Sequence, residues 1–198
     1  MELTTDPIIA EQEAKRVFDF NDEDNLIYLI NGLSDKAKAT MGRVQINQDL
    51  STAIKETHRG QRSPMIFLRA PVYNTDLSTH DLTVKVYIAG VLNETYSAND
   101  VDLVVTTDDF YSRVDLVGGC FPCLEGADYI EVEYFGGWAT VPGDVVMGAI
   151  YQGRVDLKRM AGEVGVQSHS ANGESIQMDR NGVIKEAASL WQKYKVLS

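Results

Sequence analysis

Basic residues are scarce in this chain, and their scarcity is uneven. Lysine and arginine number 18 against 29 aspartates and glutamates, a formal net charge of −11. Phosphate affinity needs a basic surface, so this balance argues against a general nucleic-acid binder. Between Val91 and Thr140 Arg113 is the one basic residue, set against ten acids that include Asp100, Asp102, Asp108, Asp109 and Glu131. The tail after Gly153 reverses this, with Arg154, Lys158, Arg159, Arg180, Lys185, Lys193 and Lys195. An acidic body with a more basic end reads either as two surfaces with different neighbours or as ordinary solvated faces. Cysteine is nearly absent: Cys120 and Cys123 make one C-x-x-C around Phe121-Pro122. A structural zinc site needs four ligands, and the three histidines, His58, His80 and His169, are scattered. A redox pair belongs at a helix start in a βαβ setting, whereas this pair follows Gly118-Gly119 in a β-rich region. The pair reads as two reduced thiols in a turn, and the compartment of folding as the cytoplasm.

Other absences narrow the function. No apolar run approaches the roughly 18 residues of a membrane-spanning helix. The opening Met1-Glu2-Leu3-Thr4-Thr5-Asp6 is acidic and polar, the reverse of a secretory signal. There is no G-x-S-x-G, no Walker glycine loop and no H-E-x-x-H. The Asp100/Asp102 and Asp108/Asp109 pairs lack the spacing of a calcium loop and read as solvent-facing acids. No catalytic residue, metal or cofactor is expected.

What is present is enough apolar material, 44% of 198 residues, for one large domain or two small ones. The pattern turns at Tyr129 to Asp144. Ile130, Val132 and Tyr134 alternate with Glu131 and Glu133, the period of a half-buried strand. Gly136-Gly137 break it, Pro142 suits a first helical turn, and Asp144 suits the positive end of that helix. These residues, with Trp138, predict a corner where a β region hands the chain to a helix, Trp138 plugging the seam. The G-x-G-x-x-G spacing and βαβ frame of a dinucleotide site are missing.

In chain order, Thr5-Asp6-Pro7 predicts the entrance to a helix of about three turns, through Ile8, Ile9, Ala14, Val17 and Phe18. Asn21 is the expected cap of a second helix, along which Leu26, Leu29, Ile30, Leu33, Ala37 and Met41 recur near the helical period. Residues 44–62 read by default as a solvated basic connection, within which Gln48 to Ile54 could be a loop or a short strand. Met65–Leu68 is a compact apolar run, and strands are expected around Leu82–Ile88, Val101–Val105, Val114–Leu116 and Ile130–Tyr134, with a turn at Ala89-Gly90. Five or so short strands imply a small antiparallel sandwich or barrel. The helix after Pro142 places Val146, Ile150, Leu157 and Met160 near one face. Its Gly148 and Gly153 each cost up to about 1 kcal/mol against alanine, a cost that close packing would offset. Residues 161–182 read as a long loop or hairpin that is mobile in the free subunit. Ile184, Ala187, Ala188, Trp191 and Tyr194 then recur at helical spacing. That final helix either docks on a partner or folds back on its own domain.

Three stretches together resemble the head-tail connector (adaptor) proteins of tailed bacteriophages, also found in gene-transfer agents. They are Leu3-Thr4-Thr5 with Asp22 to Ile30 and Ala37-Lys38-Ala39; Leu68-Arg69-Ala70-Pro71-Val72; and Ile130 to Trp138 followed by Val141-Pro142-Gly143-Asp144-Val145-Val146. The chain departs from that family in its third helix, where Gly148 and Gly153 replace a more aromatic sequence.

The resemblance implies an α+β subunit: bundle helices in 1–62, an inserted antiparallel β-sandwich or barrel in 63–138, a third bundle helix in 139–160, and a flexible tail with a docking helix in 161–198. It implies a non-enzymatic ring of twelve copies beneath the portal, a neck or stopper protein on the tail side, and DNA passing through an acidic lumen without specific binding. It places the protein in the virion neck, and in host cytoplasm during assembly, with no membrane partner. Ile184, Ala187, Ala188, Trp191 and Tyr194 become the portal-docking residues; removing 182–198 is expected to abolish docking and leave a folded monomer. The competing reading is a β-sandwich carbohydrate- or receptor-binding module of a virion, with Tyr87, Tyr96, Phe110 and Tyr111 as stacking platforms.

Overall fold

The computed structural model describes residues 2–4, 6–19, 22–59, 63–72, 82–97, 103–107, 112–121, 128–160, 170–171, 174–175 and 182–196. The fold is α+β, with four helices and two main antiparallel sheets. It divides into a helical unit, Met1–Asn47 with Val141–Lys195, and a sheet unit, Gln48–Thr140 with Val196–Ser198. The acidity is concentrated in the second: residues 48–140 hold fourteen acids and six bases, the helical unit fifteen and twelve.

The helical unit contains α1 (Glu11–Phe18), α2 (Glu23–Met41), α3 (Gly143–Met160) and α4 (Lys185–Gln192). In α2 the period holds: Leu26, Leu29, Ile30, Leu33, Ala37 and Met41 are all buried. Its cap is Asp22, which accepts from the Asn25 N–H at 3.2 Å, one residue later than the expected Asn21. The first helix differs more. It starts at Glu11 rather than beside Pro7, and its eight residues make about two turns. Asp6 is held elsewhere. Its buried carboxylate accepts from the Ile46 and Asn47 N–H groups at 2.8 and 2.5 Å, and Lys38 Nζ lies 2.7 Å away. A carboxylate that satisfies two backbone donors forty residues on is not available to cap a helix next door.

In α3 the buried face is not the expected one. Val145, Gly148, Ala149, Gln152, Gly153 and Val155 face inward, while Val146, Ile150 and Leu157 are half-buried and Met160 is exposed. The glycines explain the reversal. A Cβ on Gly148 would stand 2.5 Å from Trp191 Nε1, and one on Gly153 would stand 2.5 Å from the Phe18 ring. Other helices supply the bulk, so α3 contributes small residues that receive it. The close packing expected at these glycines is therefore present.

The sheet unit contains β1 (Asp49–His58), β2 (Met65–Leu68), β3 (Thr83–Ile88), β4 (Val91–Ser97), β5 (Leu103–Thr107), β6 (Ser112–Leu116) and β7 (Tyr129–Gly136). One sheet runs β1-β7-β3-β4 and the other β2-β6-β5, with every pairing antiparallel. Ile54, Val84, Ile130 and Val132 of the first share one core with Ile66, Leu68, Val105 and Val114 of the second, which makes the unit a sandwich. The β3–β4 hairpin turns at Ala89 and Gly90, both left-handed with φ of 50° and 75°, a geometry that suits a tight two-residue hairpin. Two strands correct the sequence reading. Residues 44–62 hold the ten-residue β1, not a solvated connection, and β4 follows the Ala89-Gly90 turn directly. The short strands β8 (Ser170–Ala171) and β9 (Glu174–Ser175) pair with each other. The rest of 161–182, expected to be a mobile loop, lies outside the described residues apart from Gly182.

Candidate functional site

Two of the stretches singled out in the sequence meet in the sheet unit. The segment Arg69-Ala70-Pro71-Val72 crosses the end of β7, and each of its backbone donors has an acceptor. Arg69 N–H donates to Glu56 Oε1 at 2.8 Å, Ala70 N–H to the Tyr134 hydroxyl at 3.1 Å, and Val72 N–H to Ser112 Oγ at 3.0 Å. Pro71, which has no donor, offers its carbonyl to Gly137 N–H at 2.8 Å. The Tyr134 hydroxyl in turn donates to Glu56 Oε1, and His58 Nε2 lies 3.1 Å from Oε2. Glu56, Ser112 and Tyr134 are buried. Gly136 must be glycine here: a Cβ would stand 2.7 Å from the Pro71 carbonyl oxygen and 2.9 Å from the Tyr134 ring. Gly137, with φ of 105°, takes a conformation that side chains disfavour. Sequence reading missed Glu56 and Ser112. Their signal was weak, a lone acid and a lone serine at inward positions of two strands.

Of the other junction residues, Trp138 is buried and its carbonyl accepts from Gln48 N–H at 3.0 Å, closing the sheet unit where its chain begins. From Val141 to Lys195 the chain belongs to the helical unit. Pro142 stands just before α3 and caps it through its carbonyl, which accepts from Val145 and Val146 at 2.9 and 3.2 Å. Asp144 sits in the first turn of α3 and pairs with Lys193 Nζ at 2.7 Å. That carboxylate raises the Lys193 pKa through its hydrogen bond and its charge.

The five residues singled out on the last helix, Ile184, Ala187, Ala188, Trp191 and Tyr194, are all buried, and they fold back on their own unit. Trp191 Nε1 donates to the Val145 carbonyl at 3.0 Å, and Arg43 Nε to the Tyr194 carbonyl at 3.0 Å. Gln152, fully buried, accepts from Ile184 N–H at 2.8 Å and donates to the Gly182 carbonyl at 3.2 Å.

The outer face of the four-stranded sheet carries a charge ladder. Lys85 lies 3.5 Å from Glu131 and 3.4 Å from Glu133, and Lys55 lies 3.3 Å from Glu133. Burial opposes the Glu133 charge, but the hydrogen bonds and fields of Lys55 and Lys85 outweigh it and hold the carboxyl below its ordinary value. Burial likewise opposes the Lys85 charge, and Glu133 and Glu131 overcome it and raise the lysine. The Glu133 contribution to stability is thus present above the unfolded glutamate value, about 4.3, and lost as pH falls through the lower folded value. The Lys85 contribution is full below the ordinary lysine value and lost as pH rises through the raised one. Replacing Lys85 with Met should lower the urea midpoint at pH 7, with the difference from the parent chain closing below the glutamate range.

Two of the four stacking residues of the carbohydrate reading, Tyr87 and Tyr96, meet other aromatic rings of the chain. Tyr87 stacks on Tyr129 with ring centroids 4.5 Å apart, and Tyr96 meets Phe121 edge-on at 6.3 Å. Phe110, Tyr111, Cys123 and the acids Asp100, Asp102, Asp108 and Asp109 lie outside the described residues; Cys120 is exposed. Among the described residues no group of three or more His, Cys, Asp or Glu side chains is placed to hold a metal. No described helix is long and apolar enough to cross a membrane.

No family model and no curated protein matches the chain. Solved structures do, over its whole length. A chain in the neck of an empty gene transfer agent (GTA) particle computed with C6 symmetry shares the fold with a TM-score of 0.61 at 13% identity, covering 100% of this chain and 95% of that one. A chain in the virion of a native GTA particle aligns with a TM-score of 0.60, 13% identity and the same coverages. A chain in the neck of a native GTA particle computed with C12 symmetry gives 0.54 at 14% identity, over 100% of this chain and 97% of that one.

Proposed function

We propose that this chain is a structural subunit of the neck of a phage-like particle, and within the neck the connector (adaptor) ring seated beneath the portal. The observation that carries the reading is a fold shared end to end with chains of gene transfer agent particles, two of them described as necks. The sequence resemblance supports the finer role: two of its three stretches are the partners in the clasp of Arg69–Val72 over Tyr134–Gly137. The clasp is architectural, since its polar atoms are turned on one another and offer nothing to a substrate. By the same reading the ring holds twelve copies, a stopper protein sits on the tail side, and DNA passes without specific contacts. The lumen hypothesis draws on the acidity of the sheet unit, though Glu131 and Glu133 are countered by Lys85 and Lys55.

Portal docking through the last helix takes a modified form. The apolar face of α4 is used within its own unit, so a portal would meet the outer side, with Lys185, Glu186 and Ser189. Electron microscopy of the chain co-expressed with its portal protein tests the proposal. A closed ring of density under the portal is the expected result. A chain that co-purifies with no portal and stands elsewhere in the particle, or in none, overturns it.

A further inference from the structure

Among the described residues three glycines lie inside helices beyond their first turns, and two are seats for aromatic rings: Gly148 for Trp191 and Gly153 for Phe18. The third, Gly32 in α2, has nothing within 4 Å of where its Cβ would be. Glycine is the poorest helix former after proline, so an unfilled seat in a 19-residue helix is a cost with no return among the described residues. Gly32 also stands on a defined stripe. Asp24, Tyr28, Gly32 and Asp35 follow one another at helical spacing, opposite the buried face of α2, and Tyr28 is 59% exposed.

On α3 the side opposite the buried face carries Met147, Tyr151, Arg154 and Lys158, where Met147 and Tyr151 are 43% and 40% exposed and the two cations are exposed. Both stripes span twelve residues, about 16 Å of helix axis from first to last. One is acidic around a tyrosine and an open glycine; the other is basic around a tyrosine and a methionine. Each points away from the core that the two helices share, so they cannot cover one another within one chain.

We infer that the α3 stripe of one subunit packs antiparallel on the α2 stripe of a second copy, with Tyr151 seated over Gly32. In that register Lys158 faces Asp24, Arg154 lies over the Tyr28 ring as a cation–π pair, and Met147 falls beside Asp35. The charge match selects the occupant, because the acidic and basic stripes are borne by the same chain. The contact joins two different patches and is therefore heterologous, the kind that propagates head to tail and closes into a ring when the rotation allows. It deepens the ring reading and rests on it only for closure.

The test is disulfide trapping in full-length chains with Cys120 and Cys123 changed to Ser. Asp35→Cys and Met147→Cys variants are oxidised separately and mixed. A covalent dimer is expected in the mixture and in neither variant alone. Adding Gly32→Leu to the Asp35→Cys partner should raise its melting temperature, since the seat is empty in the subunit, yet cut the dimer yield about tenfold, the loss typical of a blocked interface anchor. Asp24→Lys should cut the yield as well, and Lys158→Asp on the other partner should restore it. No dimer in the mixture, or full yield with Gly32→Leu, overturns the contact. Closed rings on a portal that ignore these variants sink the contact and leave the ring reading standing. Trapped dimers that behave as expected while microscopy finds no ring do the reverse.

Discussion

Replacing Trp191 with Ala is expected to cost the helical unit about 3–5 kcal/mol, the range for removing a large buried aromatic. Trp191 is fully buried, its ring fills the seat above Gly148, and its Nε1–H has found a carbonyl acceptor at Val145. The seat cannot close, because α3 has no side chain at 148 to fall into it. Removing 182–198 takes away Trp191, Ile184, Ala187 and Tyr194 together and strips Gln152 of the Ile184 and Gly182 groups it holds. The truncated chain is therefore expected to lose its folded helical unit, contrary to the folded monomer that the sequence suggests. Urea denaturation read by circular dichroism and by Trp fluorescence measures both. A coupling test sharpens the claim. Gly148→Ala alone should cost about 1–3 kcal/mol by overpacking, and in the Trp191→Ala background most of that cost should vanish, because the new methyl then occupies the vacated space. A truncation as stable as the full chain, or additive single costs, would show that α4 is not held there.

The contrast between α2 and α3 shows what a sequence can disclose. In α2 the side chains that face the core are, Ser34 apart, the apolar ones, so period alone identifies the face. In α3 the core face is marked by two glycines and a glutamine, whose purpose lies in Trp191, Phe18 and the Ile184 backbone. Those partners come from elsewhere in the chain, and no local pattern announces them. The same holds for β1. Its inward positions are Ile54 and Glu56, and an acid in the core position spoils the alternation by which strands are recognised. The clasp was half legible. Its two strips stood out for their proline and glycines, but the bond from Ala70 to Tyr134 joins positions 64 apart, and only the fold brings them together. What the sequence did carry was order: helices, then strands, then helices, with the handover near Pro142.

Replacing Glu56 with Ala is expected to cost the sheet unit about 2–6 kcal/mol. The carboxylate takes two donors on one oxygen, the Arg69 N–H and the Tyr134 hydroxyl, in a site that water does not reach. Each buried donor left without an acceptor costs about 1–3 kcal/mol, and the side chain's removal opens the core between β1 and the Arg69–Val72 segment. Three controls separate the terms. Glu56→Gln keeps an acceptor oxygen and should recover much of the loss. Tyr134→Phe removes one donor to Glu56 and the acceptor for Ala70 N–H, and should cost less than Glu56→Ala. The double variant Glu56→Gln with Tyr134→Phe should be milder than the sum of its parts, because both act on one hydrogen bond. Hydrogen exchange at the Arg69 and Ala70 amides supplies the local readout, with protection falling at both in Glu56→Ala and mainly at Ala70 in Tyr134→Phe. The consequence for assembly follows from place. The clasp fixes the strip that leads out of β2 against the end of β7, four residues before the chain passes to the helical unit at Val141. A sheet unit with a loosened clasp should still bury its sandwich core, so assembly defects in Glu56→Ala that outrun its loss of stability would mark the clasp as a part on which assembly itself depends.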